Sequence, residues 1–240
     1  MLQQTRGIVL NSIKYSDSSI IVKIYTEDFG LVSYLVRSAR GKKSKIKAVL
    51  FQPMAIINFI AFHKKKQGLQ SIREITQCSP FTGIPYDIKK SSVIIFMAEV
   101  LNKSIHEEEQ NKALFDFIFN SVIYLDNNAG RVSEFNLYFM MELSSHLGFY
   151  PQCNYSENNN IFNLYDGHFQ ESLPEHPYFM EADLSADFYK LIISLHPEDR
   201  IEIAPQIRTA LMDKILDYYR MHLNGFNTLN SHLILKEVLQ

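Results

Sequence analysis

Hydrophobic positions recur with two different periods along the chain, and the change between them falls near residue 80. Ile20, Val22 and Ile24 alternate with Ile21, Lys23 and Tyr25, the period-two pattern of a strand with one buried face. Glu27-Asp28-Phe29-Gly30 reads as a turn before a second apolar run, Leu31 to Val36. Thr5 to Ile13, Val49 to Phe62 and Leu69 to Thr76 bring the number of strands to about five. Five short strands with mostly short connections predict a small barrel, and the OB-fold is the five-stranded barrel most used for single-stranded nucleic acid.

Past Ser79-Pro80 and Gly83-Ile84-Pro85 the spacing becomes helical. Val93, Met97, Val100 and Leu101 share one helical face, as do Leu114, Ile118, Val122 and Leu125. A third helix is expected from about Arg131 to Leu147, carrying Val132, Phe135, Phe139 and Leu143 and ending at Gly148 and Pro151. Cys153 to Pro177 is polar and rich in turn residues, an insertion or small β-turn element. Ser185 is the expected cap of a helix bearing Phe188, Leu191, Ile192 and Leu195, stopped by Pro197. An amphipathic helix with Ile207, Leu211, Met212, Ile215, Tyr219 and Leu223 follows, broken by Asn224-Gly225, and a short helix from about Ser231 to Leu239 closes the chain. The expected architecture is α+β multidomain: a five-stranded OB-fold barrel over residues 1–80, then an all-helical domain over 81–240 with a turn-rich insertion at about 153–180.

Charge sharpens that division. The net charge is −2 over 240 residues. Residues 1–80 carry thirteen Lys and Arg against four Asp and Glu, a net of +9, and residues 81–240 hold eleven against twenty-two, a net of −11. Such polarity suits the first module to a polyanion and the second to something else. No run approaches the roughly 18 uninterrupted apolar residues of a membrane span, and the first residues lack the pattern of a signal peptide. The expected location is the cytoplasm, in association with the nucleoid. Cys78 and Cys153 are the only cysteines, too few for a disulfide framework or a four-thiolate zinc site.

The candidate chemistry is binding. Arg37, Arg40, Lys42, Lys43, Lys45 and Lys47 fall within eleven residues that contain no acid, between two expected strands. His63-Lys64-Lys65-Lys66 occupies the next expected hairpin turn. A single lysine run is as readily a solvated surface, but two clusters in one +9 module favour phosphate contacts that release counterions. Tyr15, Tyr25, Tyr34 and Phe62 lie on or beside the strands. Stacking on a base is worth about 1–3 kcal/mol, and most aromatics at strand spacing belong to a core, leaving about one or two to face outward. Tyr34 joins the cations as the candidate stacking residue. No Walker loop, Gly-x-Ser-x-Gly elbow or His-Glu-x-x-His is present, and Glu107-Glu108-Glu109 reads as a solvated connection. Cys153, His168 and His176 fit no standard zinc spacing and read as a buried thiol and two surface imidazoles. No catalytic residue, metal or cofactor is expected.

Thr5-Arg6-Gly7-Ile8-Val9-Leu10, Tyr15-Ser16-Asp17-Ser18-Ser19-Ile20-Ile21-Val22 with Thr26 and Gly30, the run Arg37 to Lys47 leading to Leu50-Phe51-Gln52-Pro53, Leu147-Gly148-Phe149-Tyr150-Pro151 and the terminal Ser231 to Leu239 occur in this order. In these pieces the chain resembles the RecO family of bacterial recombination mediators. The resemblance implies an OB-fold followed by helices and no catalytic residues. It also implies binding to single- and double-stranded DNA, strand annealing, and work with RecR to help RecA displace the single-strand-binding protein SSB, whose acidic C-terminal tail is a partner. Many members of the family carry a four-cysteine zinc element after the Gly-Phe-x-Pro segment, where this chain keeps Cys153 alone and continues Asn154-Tyr155-Ser156-Glu157. Other readings are a general OB-fold RNA- or DNA-binding protein outside recombination, a non-catalytic scaffold whose lysines only confer solubility, and, more distantly, a metal-dependent nuclease.

Overall fold

The structure, a computed structural model, describes residues 2–37, 48–63, 68–78, 80–128, 132–194 and 201–239. Its first five strands are β1 (Leu2–Lys14), β2 (Ile20–Thr26), β3 (Gly30–Val36), β4 (Ile56–Phe62) and β5 (Gln70–Gln77). They close into a barrel in the order β1-β2-β3-β5-β4. Closure depends on the length of β1: residues Leu2 to Ile8 pair with β4, and Gly7 to Lys14 pair with β2 across a bulge between Val9 and Asn11. Ile20, Val22 and Ile24 point into a core shared with Val9, Tyr34, Val36, Phe51, Ile57 and Phe59. The fourth expected strand is shorter than its apolar run. Ala48–Phe51 is a turn of 3₁₀-helix, and Pro53 and Met54, the latter with φ of 61°, carry the chain round before β4. Met54 N–H donates to the Val9 carbonyl and Val9 N–H to that of Ala55, so this corner fills the bulge in β1.

Tyr25, placed by alternation on the outer face, is buried. The outer face of β2 is covered: its ring stacks on Phe115 at 6.3 Å and its hydroxyl donates to the Asn111 carbonyl. Those residues belong to the start of the second of two helices, α1 (Ile88–Ser104) and α2 (Lys112–Asn127). The stripes Val93, Met97, Val100, Leu101 and Leu114, Ile118, Val122, Leu125 are all buried. Glu107-Glu108-Glu109 is exposed at its side chains, but its backbone packs on the β2–β3 turn. Leu31 N–H donates to the Glu107 carbonyl, and a Cβ on Gly30, whose φ is 61°, would lie 2.2 Å from the Glu109 carbonyl oxygen. Gly30 is therefore required by conformation and by space.

The remaining elements are α3 (Phe135–His146), β6 (Ile161–Asn163), β7 (His168–Gln170), β8 (Phe179–Met180), α4 (Ala182–Ile193), α5 (Pro205–His222) and α6 (Ser231–Val238). Contacts gather the chain into two compact units: residues 1–129 with 229–238, and residues 130–228 with 239–240. Strand gives way to helix at the expected place near 81, whereas these units divide at 129, so α1, α2 and α6 accompany the barrel.

Within the first unit, ionic hydrogen bonds join barrel and helices. The Arg6 guanidinium donates Nε and Nη2 to the two Glu27 carboxylate oxygens, each at 2.7 Å, and lies over the rings of Phe115 and Phe119. Lys112 approaches the same carboxylate at 3.4 Å. Asp126, near the end of α2, accepts from the backbone N–H groups of Thr82, Gly83 and Ile84 and from the Thr82 hydroxyl. Buried Lys90 donates to the Asp126 carbonyl at 2.8 Å. Glu99 of α1 caps α6, accepting from Asn230 N–H, Ser231 N–H and the Ser231 hydroxyl, so a carboxylate meets the positive end of the helix dipole.

In the second unit Gly148, with φ of 84°, ends α3. The next residue, Phe149, inserts its ring among Tyr219 at 4.9 Å, His222 at 5.6 Å and Tyr218 at 5.8 Å, which accounts for the Leu-Gly-Phe-x-Pro segment as a packing device. The stretch expected to be turn-rich holds a three-stranded antiparallel sheet, ordered β7-β6-β8. Ser185 is not a cap: it lies inside α4, fully buried, accepting from Phe162 N–H and donating to the Met180 carbonyl. It fastens β6 and β8 to the helix. Leu195 and Pro197 fall outside the described residues.

The Glu27 carboxyl is held below the usual carboxylate range, chiefly by its hydrogen bond from Arg6. Burial would raise Asp126, yet its backbone hydrogen bonds prevail and lower it. Their folded values lie below the unfolded ones, so their stabilisation is full above about pH 4.3 and is lost as pH falls through the folded values. Glu27→Gln is expected to reduce unfolding free energy by about 1–2 kcal/mol at neutral pH and to flatten its decline below about pH 5, measured by urea unfolding across that range.

Candidate nucleic-acid interface

Three connections leave neighbouring strands of the barrel. Ile20 is the register partner of both Lys14 and Val36, so the β1–β2 loop and Arg37 emerge at one end. Leu35 pairs with Ser71, which pairs with Phe62, so the connection from β4 to β5 meets the same half of β3. Lys14 and Arg37 are exposed. Asp17, itself fully exposed, lies 3.5 Å from Lys14, a pairing too solvated to neutralise it. Lys23 on β2 is half-buried, and desolvation lowers its pKa. Arg40, Lys42, Lys43, Lys45 and Lys47, and Lys64, Lys65 and Lys66, lie outside the described residues; Arg37, His63 and Gly68 mark where their segments join the barrel.

The structure corrects the aromatic assignment. Tyr34 is fully buried, edge-on to Phe59 at 5.1 Å, with its hydroxyl 3.0 Å from His63 Nε2. Burial pushes its phenol well above the ordinary value. It belongs to the barrel core and has no face for a base. Tyr15 and Phe62 are the outward-facing members of the four, 62% and 43% exposed. Tyr15 stands at the head of a compact turn in which its own N–H and that of Ser16 both donate to the Ser19 carbonyl, and the Ser16 hydroxyl accepts from Ser19 N–H. The Tyr15-Ser16-Asp17-Ser18-Ser19 segment thus presents an aromatic ring beside Lys14 on a fixed backbone. Strand alternation could not find it, because Tyr15 lies just past the strand, where the period no longer applies.

His63 does not extend the lysine cluster as a charge. Its ring stacks on Phe29 at 3.9 Å, and burial lowers its pKa. Elsewhere, Cys153 is exposed, contrary to the buried thiol expected, and partial desolvation raises its pKa. Among the described residues no three His, Cys, Asp or Glu side chains gather as metal ligands, and no helix is long and apolar enough to cross a membrane.

A closed five-stranded barrel in this order, with helices following, defines an OB-fold protein with a helical C-terminal region. Residues 1–81 match the family model described as Recombination protein O N terminal, and residues 85–179 match Recombination protein O C terminal. The chain is 38% identical over 245 residues to the DNA repair protein RecO of Bacteroides fragilis, with 99% of each chain covered. It is 36% identical over 238 residues to that of Flavobacterium psychrophilum, and 29% identical over 242 residues to that of Porphyromonas gingivalis, each with 98% of both chains covered. The chain belongs to the RecO family of DNA repair and recombination proteins.

Because His63 is held neutral in the fold, its folded pKa lies below the unfolded value near 6.5. The unfolded chain takes up the proton first, so this contribution is complete above about pH 6.5 and is lost as pH falls toward the folded value. His63→Gln should reduce the slope of stability against pH between roughly pH 5 and 6.5, as read by chemical unfolding; an unchanged slope would show that His63 titrates as a solvated imidazole.

Proposed function

We propose that the protein is a non-enzymatic recombination mediator. It binds single- and double-stranded DNA through the barrel of residues 1–80, promotes annealing, and assists RecA loading onto SSB-coated single strands. The observation that carries this reading is the attachment of both basic segments to adjoining strands: one follows Val36 and Arg37, the other leads through Gly68 into Gln70, and Tyr34 pairs with Gln70. Arg37, Arg40, Lys42, Lys43, Lys45, Lys47 and Lys64 to Lys66 then hold phosphates without reading sequence. Screening phosphates on two strands at once lowers their mutual repulsion and favours pairing. Tyr15 takes the stacking role first given to Tyr34. The helical part beyond residue 81, acidic in net charge, is the surface for proteins, RecR among them; the acidic SSB tail requires a locally basic, apolar pocket within it, and RecA is engaged indirectly.

Titration of fluorescent single-stranded DNA at several salt concentrations, repeated on SSB-coated DNA, tests the reading. Joint charge reversal of Arg40, Lys42 and Lys43 should weaken binding strongly and reduce the salt slope by about 2, at roughly 0.7 per phosphate lost. Tyr15→Ala should weaken binding by about tenfold through lost stacking while leaving the salt slope unchanged. An unaltered slope in the charge-reversal variant would remove the phosphate assignment. Cleavage of labelled DNA with magnesium or manganese would replace a mediator by a nuclease.

A further inference from the structure

We infer that the exposed aromatic face formed by Tyr165, His176 and Tyr178 on the small sheet of the second unit docks a protein segment carrying clustered arginines. The three rings gather around His176, whose centroid lies 5.8 Å from that of Tyr165 and 6.0 Å from that of Tyr178, at interplanar angles of 42° and 40°. Tyr165 is 63% exposed and Tyr178 47% exposed, so part of each ring is accessible to a ligand on the side away from His176.

The backbone beneath the rings is tied down. Asn163, the last residue of β6, accepts at Oδ1 from Tyr165 N–H at 2.9 Å and from Asp166 N–H at 3.3 Å, and its Nδ2 donates to Asp166 Oδ2 at 2.8 Å. Tyr178 is held on both sides: its carbonyl accepts from Leu164 N–H, and its N–H donates to His176 Nδ1. Pro174 and Pro177 restrict the loop that carries His176. A backbone held in this way gives up little further conformational entropy when the surface binds.

Charge chooses the occupant. From Val132 to Tyr189 the chain contains nine Asp and Glu and no Lys or Arg. Asp166 adjoins Tyr165, Glu175 adjoins His176, and Glu171 and Glu181 lie in the same short stretch of sheet and loop. A phosphate backbone is repelled by such a surface. A guanidinium gains twice, from the carboxylates and from the negative faces of the tyrosine rings, and its planar shape stacks where an ammonium cannot. The surface is therefore distinct in chemistry from the basic barrel: it suits a cationic peptide and not DNA.

The test uses the full chain with a fluorescein-labelled oligoarginine peptide, an oligolysine of the same length and an oligothymidylate, read by anisotropy near physiological salt. Oligoarginine should bind several-fold more tightly than oligolysine, and the double variant Tyr165→Ala, Tyr178→Ala should lose about tenfold in affinity for it. The pair Tyr165→Phe, Tyr178→Phe keeps the ring faces and should stay within about twofold of the parent. Should the double alanine variant melt early, Tyr165→Ala alone, at the most exposed ring, is expected to lose about threefold. Retention of oligoarginine affinity in the alanine variants, equal affinity for the two cationic peptides, or loss of oligothymidylate binding in those variants would each overturn the proposal.

Discussion

A guanidinium laid between a carboxylate and two aromatic rings is the contact on which the first unit depends. Arg6 projects from the long strand β1, donates to both carboxylate oxygens of Glu27 in the β2–β3 turn, and covers Phe115 and Phe119 of α2. Because the charge is satisfied in a bidentate pair and its flat faces meet rings, strand and helix are joined with little unpaired polarity. The consequences propagate outward. Tyr25 can be buried on the outer face of β2, the α1–α2 connection can lie against Gly30, and barrel and helices share one body.

Much of this arrangement was legible in the pattern of residues. Period two located the barrel strands, and period three to four located buried stripes on the helices, because in both cases a single buried face dominates. The pattern failed where two faces are covered at once: Tyr25 and Tyr34 sit on opposite sides of the barrel wall and are both buried, so alternation says nothing about which ring meets solvent. It failed also where a polar side chain serves tertiary contacts. Ser185 has the composition of a helix cap, yet its hydroxyl joins two strands inside a helix already under way. Arg6, visible only as part of a motif, shows its role through partners some 20 to 110 residues away in sequence. The resemblance of ordered motifs to the RecO family reached further than any periodicity, since it carries the identity of the whole chain.

Charge is sorted along the chain with the same economy. Cations concentrate in the barrel and its connections, and the 58 residues from Val132 to Tyr189 are free of them. The sheet β7-β6-β8 holds its shape through Asn163, Ser185 and packed rings, with Tyr155 stacked on Tyr189 and Phe162 packed at a tilt against Phe169 and Phe188. Cross-linking by hydrogen bonds and rings supplies here the rigidity that metal coordination gives other small loop-rich elements.

The capping of α6 by Glu99 has a consequence for the order in which the protein is made. Helix α6 follows the whole second unit in the chain, yet its place is beside α1 in the unit built from residues before 130. The earlier body therefore waits for a distant segment: until residues 229–238 have been made, Glu99 has no helix to cap and the flank of α1 lacks its cover. A nascent chain halted before residue 229 presents an unfinished surface to chaperones, so the barrel-bearing unit is completed only after the second unit has been synthesised.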